Sequence, residues 1–371
     1  MQYRTLAGER VSVLGFGLMR LPIIDGDGAC IDMDKTEEMM RYAIDNGVNY
    51  FDTAYVYHGE KSESAAGEIL EKNGLRDEIN IATKLPTWMV KSEADVERML
   101  DEQLRRLRTD HIDFYLCHAL DKNRFDNVIV KYNVLEKLEQ AKREGKIRHI
   151  GFSFHDDLAT FKRILDSYDG WEFCQIQLNY INTDYQAGLE GLSYAANEKG
   201  IGVVIMEPLF GGRLAAPPVG VTEALPKGHS NVENALRFLW NRPEVRVTLS
   251  GMGSLRQMKE NIEFASRSGE NVLTAEELEA YAVAKRIYEE MRLVPCTKCA
   301  YCMPCPFGVD IPGVYAAYNI MAEKGLMDAK KEYDALEGKA DLCKQCGACR
   351  KVCPQSIDTP KLMHEIDKMF G

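Results

Sequence analysis

Eight of the chain's eleven cysteines fall in two runs near its end, and each run closes on a proline. The first is Cys296-x2-Cys299-x2-Cys302-x2-Cys305-Pro306, and the second is Cys343-x2-Cys346-x2-Cys349-x3-Cys353-Pro354. Thiolates two residues apart on a tight turn can reach neighbouring irons of one cubane, so this spacing points to [4Fe–4S] clusters. Disulfides would need an oxidising compartment. Gln2-Tyr3-Arg4 follows no apolar signal segment, and disulfides are not expected. Zinc could use the paired CxxC units, but a tetrahedral site has no need of triplets ending in Cys-Pro. Cys30, Cys117 and Cys174 are scattered and read as ordinary thiols.

The second run matches the bacterial two-cluster ferredoxin spacing residue for residue, and the first departs from it by one residue before its last cysteine. In such proteins the proline turns the chain away, and the fourth cysteine ligates the other cluster. The resemblance implies one cluster on Cys296, Cys299, Cys302 and Cys353 and a second on Cys343, Cys346, Cys349 and Cys305.

A second set of residues carries acid–base chemistry: Asp52, Tyr57, Lys84 and His118. A phenol with a pKa of ~10 is a poor acid at neutral pH, and a nearby ammonium favours its ionised form. Lys84 can serve Tyr57 in this way, with Asp52 keeping Lys84 protonated and aimed. His118 can hydrogen-bond a carbonyl oxygen and stabilise charge developing there. Tyr55 stands two residues before Tyr57 and reads as pocket lining, while His58, His149 and His155 are not assigned to catalysis.

What must position these residues is a series of short β-rich apolar runs alternating with amphipathic helical stretches. The strand candidates are residues 13–17, 48–52, 79–84, 112–118, 147–153, 173–178, 202–207 and 245–250. Eight such units predict a closed parallel (β/α)8 TIM barrel, whose usual span of ~250 residues fits ahead of the cysteines. Asp52, Lys84 and His118 then fall at or just beyond strand C-termini, the face on which barrels build their sites. The division expected is a barrel over 1–270 and, over 271–371, a connecting helix with a small, mainly helical two-cluster domain. Continuous helices are expected over 127–144, 186–199 and 311–336, and residues 209–230, rich in Gly and Pro, form a candidate functional loop.

Phe51-Asp52-Thr53-Ala54, Tyr57-His58-Gly59, Lys61-Ser62-Glu63 and Lys259-Glu260-Asn261 are close to the signature of the aldo-keto reductases, which the chain resembles from Arg4 to about Arg267. The resemblance implies NAD(P)H-dependent reduction of an aldehyde or ketone to an alcohol, with Asp52, Tyr57, Lys84 and His118 as the catalytic four. It places the cofactor against Gly17, Met19, Ser153, Gln175, Met206, Glu207, Pro208 and Leu209, and its adenosine end against Gly251, Gly253, Gln257, Glu260 and Asn261. Phe154 stands where the family has an amide, and Met206 where it often has an aromatic platform. Gly211-Gly212 could approach the pyrophosphate, and Arg256 and Lys259 favour NADP(H) over NAD(H). With the clusters added, the chain looks like the iron–sulfur branch of that family. The alternative is an electron-transfer or redox-sensing module whose barrel binds nucleotide but turns over poorly.

A net charge of −11 argues against a nucleic-acid partner. No stretch reaches the ~18 apolar residues of a membrane span. The expected setting is the cytoplasm, and the expected partners are a small-molecule carbonyl substrate and a one-electron carrier protein for the clusters.

Overall fold

The computed structural model describes the chain except for Arg292, residues 297–299, Pro354, and the side chains of Glu323 and Lys324. Cys299, expected as a cluster ligand, and Pro354, which closes the second run, therefore lie outside the described residues. The chain forms two compact units: Met1–Ala215 with Lys227–Ala275, and Ala216–Pro226 with Glu276–Gly371.

The first unit opens with an antiparallel hairpin, β1 (Tyr3–Leu6) and β2 (Glu9–Ser12), which the periodicity of the sequence does not announce. Eight parallel strands follow: β3 (Leu14–Gly17), β4 (Tyr50–Asp52), β5 (Asn80–Leu85), β6 (Ile112–Leu120), β7 (Ile147–Phe154), β8 (Phe173–Gln177), β9 (Gly202–Met206) and β10 (Val245–Ser250). They pair in chain order, and β10 returns to β3 to close the barrel. Tyr50, Ala82, Phe114, Leu116, Phe173, Val204, Val247 and Leu249 pack together with Leu6 and Val11 of the hairpin, so the barrel holds a filled core. Arg4 fastens the hairpin by donating to the carbonyls of Trp240, Arg242 and Val245. Gly47, Gly145 and Gly200 take positive φ just past helix C-termini, where a left-handed residue ends the helix.

Two expected helices of this unit are broken. Residues 127–144 form a π-helical stretch, Phe125–Val130, and a separate helix, Val134–Arg143. Asn133 between them takes φ 48°, which asparagine tolerates, and its amide donates to Glu93 at 2.7 Å. The second break is shifted by local backbone: Gly188 at φ 58° opens a helix of six residues, Gly188–Ser193, and Tyr194–Glu198 continue as a π turn.

The second unit contains helices Ala275–Glu290, Ile311–Lys324, Leu326–Asp334, Ala348–Val352 and Thr359–Phe370, with no strand among its described residues. The single helix expected over 311–336 is divided at Gly325, whose φ of 89° a helix cannot accommodate. Val309, Val314, Tyr315, Tyr333, Met363, Ile366 and Phe370 form its core, with cysteines of both runs packed against them. Asn319 accepts from the Val294 amide and donates to the Val294 carbonyl, both at 2.9 Å, which fixes the chain two residues before Cys296.

Candidate active site and cluster cavities

Asp52 ends β4 and Lys84 lies one residue from the end of β5; both are buried. Register explains their meeting, because Phe51 and Asp52 pair with Ile81 and Ala82 of the neighbouring strand. Lys84 Nζ donates to both Asp52 carboxylate oxygens at 2.8 Å and to the Thr53 carbonyl at 2.7 Å. The ammonium's three donors are shared among these oxygens and the Tyr57 hydroxyl, which also lies within hydrogen-bond reach. Burial works against the charge, but Asp52 and then Tyr57 hold the Lys84 pKa above its ordinary value. Lys84 Nζ lies 5.1 Å from the centre of the Tyr57 ring.

Tyr57 sits in the turn after β4, where its amide donates to Ala54 O and its carbonyl accepts from Lys61 and Ser62. His58, Gly59 and Glu60 follow with positive φ, an uncommon run for two non-glycine residues. His58 secures the turn: Nδ1 meets Gly28 O at 2.7 Å, and Nε2 accepts from the Leu21 amide at 3.1 Å. The imidazole thereby ties the segment from Leu21 to Gly28 to the turn that carries Tyr57. Burial raises the Tyr57 pKa above the ordinary phenol value, with Lys84 opposing and Asp52 adding to the rise. The phenol is therefore fully protonated at neutral pH. Sequence reasoning expects a net lowering by Lys84, and burial outweighs it.

Tyr55 is not pocket lining. Its hydroxyl donates to Glu102 at 3.0 Å and its ring lies under the Arg106 guanidinium, 3.9 Å from the centroid. It supports the turn from beneath.

His118 lies near the end of β6, where its carbonyl accepts from Thr87 Oγ1 at 2.8 Å. Its ring is edge-on to Tyr57 at 6.4 Å and 5.0 Å from Trp88. Burial, then Lys84, His155 and Arg124, push its pKa well below the ordinary imidazole value, so it is neutral. Its Nδ1 is buried without a hydrogen-bond partner.

Behind these residues runs a buried polar network that sequence reasoning leaves unassigned. Gln103 Nε2 donates to Glu63 Oε1 at 2.6 Å and to the Lys84 carbonyl at 3.1 Å, while Tyr115 donates to Gln103 Oε1 at 2.7 Å. Thr83 reaches the same Glu63 oxygen at 2.6 Å, and Arg106 meets the other at 3.4 Å. The network holds the backbone of β5 at the residue that carries the ammonium. Its only sequence trace is Glu63 within the signature segment.

Ser153 and Gln175 face each other across β7 and β8. Ser153 Oγ accepts from the Ala119 amide at 2.7 Å, which leaves its own proton to donate. Gln175 Nε2 contacts Met206 Sδ at 3.5 Å, and its Oε1 is buried without a partner. An orphaned acceptor beside a free hydroxyl is a fit for a carboxamide. Phe154 stacks into the core at 5.0 Å from Phe161 and contributes nothing polar. Asn179, which sequence reasoning passes over, donates to Glu207 O at 3.1 Å and holds that residue at φ 58°. Pro208 is buried and Leu209 half-buried beyond it, while Gly211 and Gly212 take φ 65° and 97°.

At the end of β10, Gln257 Oε1 accepts from the Gly253 amide at 2.9 Å and the Asn261 amide donates to Ser250 Oγ at 3.0 Å. A Cβ on Gly251 would come within 3.1 Å of the Arg20 side chain, and one on Gly17 within 3.4 Å of Ser250 O. Arg20, Met19 and Arg256 are exposed around this point. Arg256 pairs with Glu260 at 3.5 Å, and Lys259 lies over Tyr42.

Residues 13–218 match the Aldo/keto reductase family model. The chain belongs to the aldo/keto reductase family. L-galactose dehydrogenase of Arabidopsis thaliana is 29% identical over 276 residues, covering 69% of this chain and 84% of that protein. A Schizosaccharomyces pombe aldo-keto reductase designated [NADP(+)] is 26% identical over 220 residues, covering 57% of this chain and 62% of that one. Among solved structures, the holo form of a Bacillus halodurans aldo-keto reductase superposes with a TM-score of 0.64 at 27% identity, covering 76% of this chain and 96% of that one. Residues 295–357 match a 4Fe-4S dicluster domain. No helix among the described residues is long and apolar enough to cross a membrane.

The cysteines of this reductase's second unit line two cavities. One, of about 210 Å³, is bordered by Cys343, Cys346 and Cys349 with Cys305 and Cys302. The other, of about 20 Å³, is bordered by Cys296, Cys302 and Cys353. Cys305 thus stands with the second run and Cys353 with the first. Among the described residues, no three His, Cys, Asp or Glu side chains converge as ligands of a single ion. A cubane asks for a different arrangement, one thiolate at each iron around a cavity.

Proposed function

We propose that the chain reduces an aldehyde or ketone to an alcohol at the expense of NADPH, with Tyr57 as proton donor. The observation that carries this is the Lys84 ammonium, held by both Asp52 oxygens and Thr53 O beside a protonated Tyr57. The nicotinamide, when bound, supplies a hydride to the carbonyl carbon. Tyr57 delivers a proton to the carbonyl oxygen, and neutral His118 donates a hydrogen bond to the same oxygen. Lys84 favours the phenolate that remains, and Asp52 keeps Lys84 charged. Ser153 and the orphaned Gln175 Oε1 would hold the carboxamide. Arg20, exposed beside Gly251, and Arg256, exposed in the first turn of helix Leu255–Ser266, support NADPH over NADH as cations for a 2′-phosphate.

We further assign two [4Fe–4S] clusters to the second unit with crossed ligation, on the strength of the two cysteine-lined cavities. When bound, such clusters supply one-electron transfer. A one-electron carrier protein is the partner this chemistry asks for, and the cytoplasm is the compartment in which free thiolates persist.

Steady-state NADPH oxidation with a panel of aldehydes and ketones tests the reading. Turnover with at least one class of carbonyl is expected. Tight nucleotide binding without turnover on any of them would instead favour a redox-sensing module.

A further inference from the structure

Tyr315 lies on helix Ile311–Lys324 with 1% of its surface exposed. Among the described residues its hydroxyl is buried with no hydrogen-bond partner of good geometry, the Thr359 hydroxyl being the one polar side-chain group within its reach. It lines the smaller cavity together with Cys296, Cys302, Cys353 and Thr359. The nearby Thr359 hydroxyl is turned toward Ile357 O at 3.5 Å. A buried hydroxyl without a partner costs ~1–3 kcal/mol, so an orphan of this kind calls for an acceptor in the space it faces. A tyrosine hydroxyl is a donor at neutral pH. Cys296, Cys302 and Cys353 line the cavity beside Gln355, and the cluster assigned to it carries only acceptor sulfurs.

Resting on that assignment, we propose that Tyr315 donates its O–H to a sulfur of the cluster held by Cys296, Cys299, Cys302 and Cys353, and raises the reduction potential of that cluster more than that of the other, whose Cys349 also lies near the ring. One-electron uptake adds one negative charge to the cluster and its thiolates. A fixed donor dipole stabilises the more negative, reduced form more than the oxidised form, and hydrogen bonds to the sulfurs are among the factors that set such potentials. The cavity bordered by the second run does not include Tyr315.

The test uses the full chain purified without air. Iron and sulfide are counted, and the clusters are then titrated with dithionite under electron paramagnetic resonance. In Tyr315→Phe, iron and sulfide should equal the wild-type content while one of two reduction waves moves to lower potential by more than the other. Tyr318→Phe, on the same helix but outside the cavity lining, should move neither. Incorporating 3-fluorotyrosine at position 315 keeps the ring and strengthens the donor, so the same wave should move upward; this arm also serves if the phenylalanine variant fails to load. Full loading with both waves unmoved in either variant overturns the Tyr315 role alone. Wild-type protein without iron and sulfide overturns the cluster assignment and this role with it.

Discussion

The hydroxyls of Tyr55 and Tyr57 are two residues apart and lead to different chemistry, because one is committed to Glu102 and the other faces Lys84. Tyr57→Phe should lower carbonyl reduction by roughly 10²- to 10⁴-fold, the usual worth of general acid catalysis, with NADPH affinity within a few-fold of wild type by fluorescence titration. Tyr55→Phe should keep turnover within a few-fold and cost about 1 kcal/mol of stability, one hydrogen bond. The opposite ranking would move the acid to Tyr55. His118 makes a prediction about pH. Its folded-state pKa lies well below the unfolded value of about 6.5. As pH falls below that value, the unfolded chain binds a proton that the folded chain refuses, so stability declines; above it, this residue adds no pH dependence. His118→Gln should flatten the fall in Tm between pH 7 and pH 5, and a slope equal to wild type would refute this.

Helices Ser62–Asn73 and Glu93–Leu107 carry Glu63 and Gln103 to the back of β5, and Gly67 sets how closely they approach. A Cβ at Gly67 would lie 2.5 Å from Arg106 O and 2.7 Å from Leu107 O, backbone atoms that cannot swing aside. Gly67→Ala should therefore cost ~1–3 kcal/mol, read as a lower denaturation midpoint, and should reduce kcat through the displaced Lys84. Unchanged stability would mean that the helices separate freely. That Asp52, Lys84 and His118 would meet near Tyr57 was legible in the sequence, because the βα alternation sets them at strand ends. The network behind them was not, since Gln103 and Arg106 look like ordinary polar positions on an amphipathic helix. Nor were the π-helical stretches at 125–130 and 194–198, which keep a helical pattern of side chains while shifting the backbone bonds. Asn133 and Gly325 split helices that periodicity runs together, because their backbone angles follow from local hydrogen bonding and glycine's freedom.

For the molecule as a whole, the two cysteine runs predict about eight irons and eight sulfides per chain, from two cubanes. Cys353→Ser should damage the cluster of the first run, because Cys353 borders the cavity with Cys296 and Cys302. Loss of the second run's cluster instead, seen by its spectral signature, would mean uncrossed ligation. The clasp made by Arg4 has a consequence for how the protein is made. The guanidinium grips Val245, 241 residues later, and β3 waits for β10 as its neighbour. At a synthesis rate of ~5–20 residues per second, that interval lasts roughly 12 to 50 s. Through all of it the growing chain exposes open sheet edges on the ribosome, a template for wrong pairing. The barrel is thus completed by its last strand, and until β10 is made the edges of β3 and β9 have no neighbour to close on.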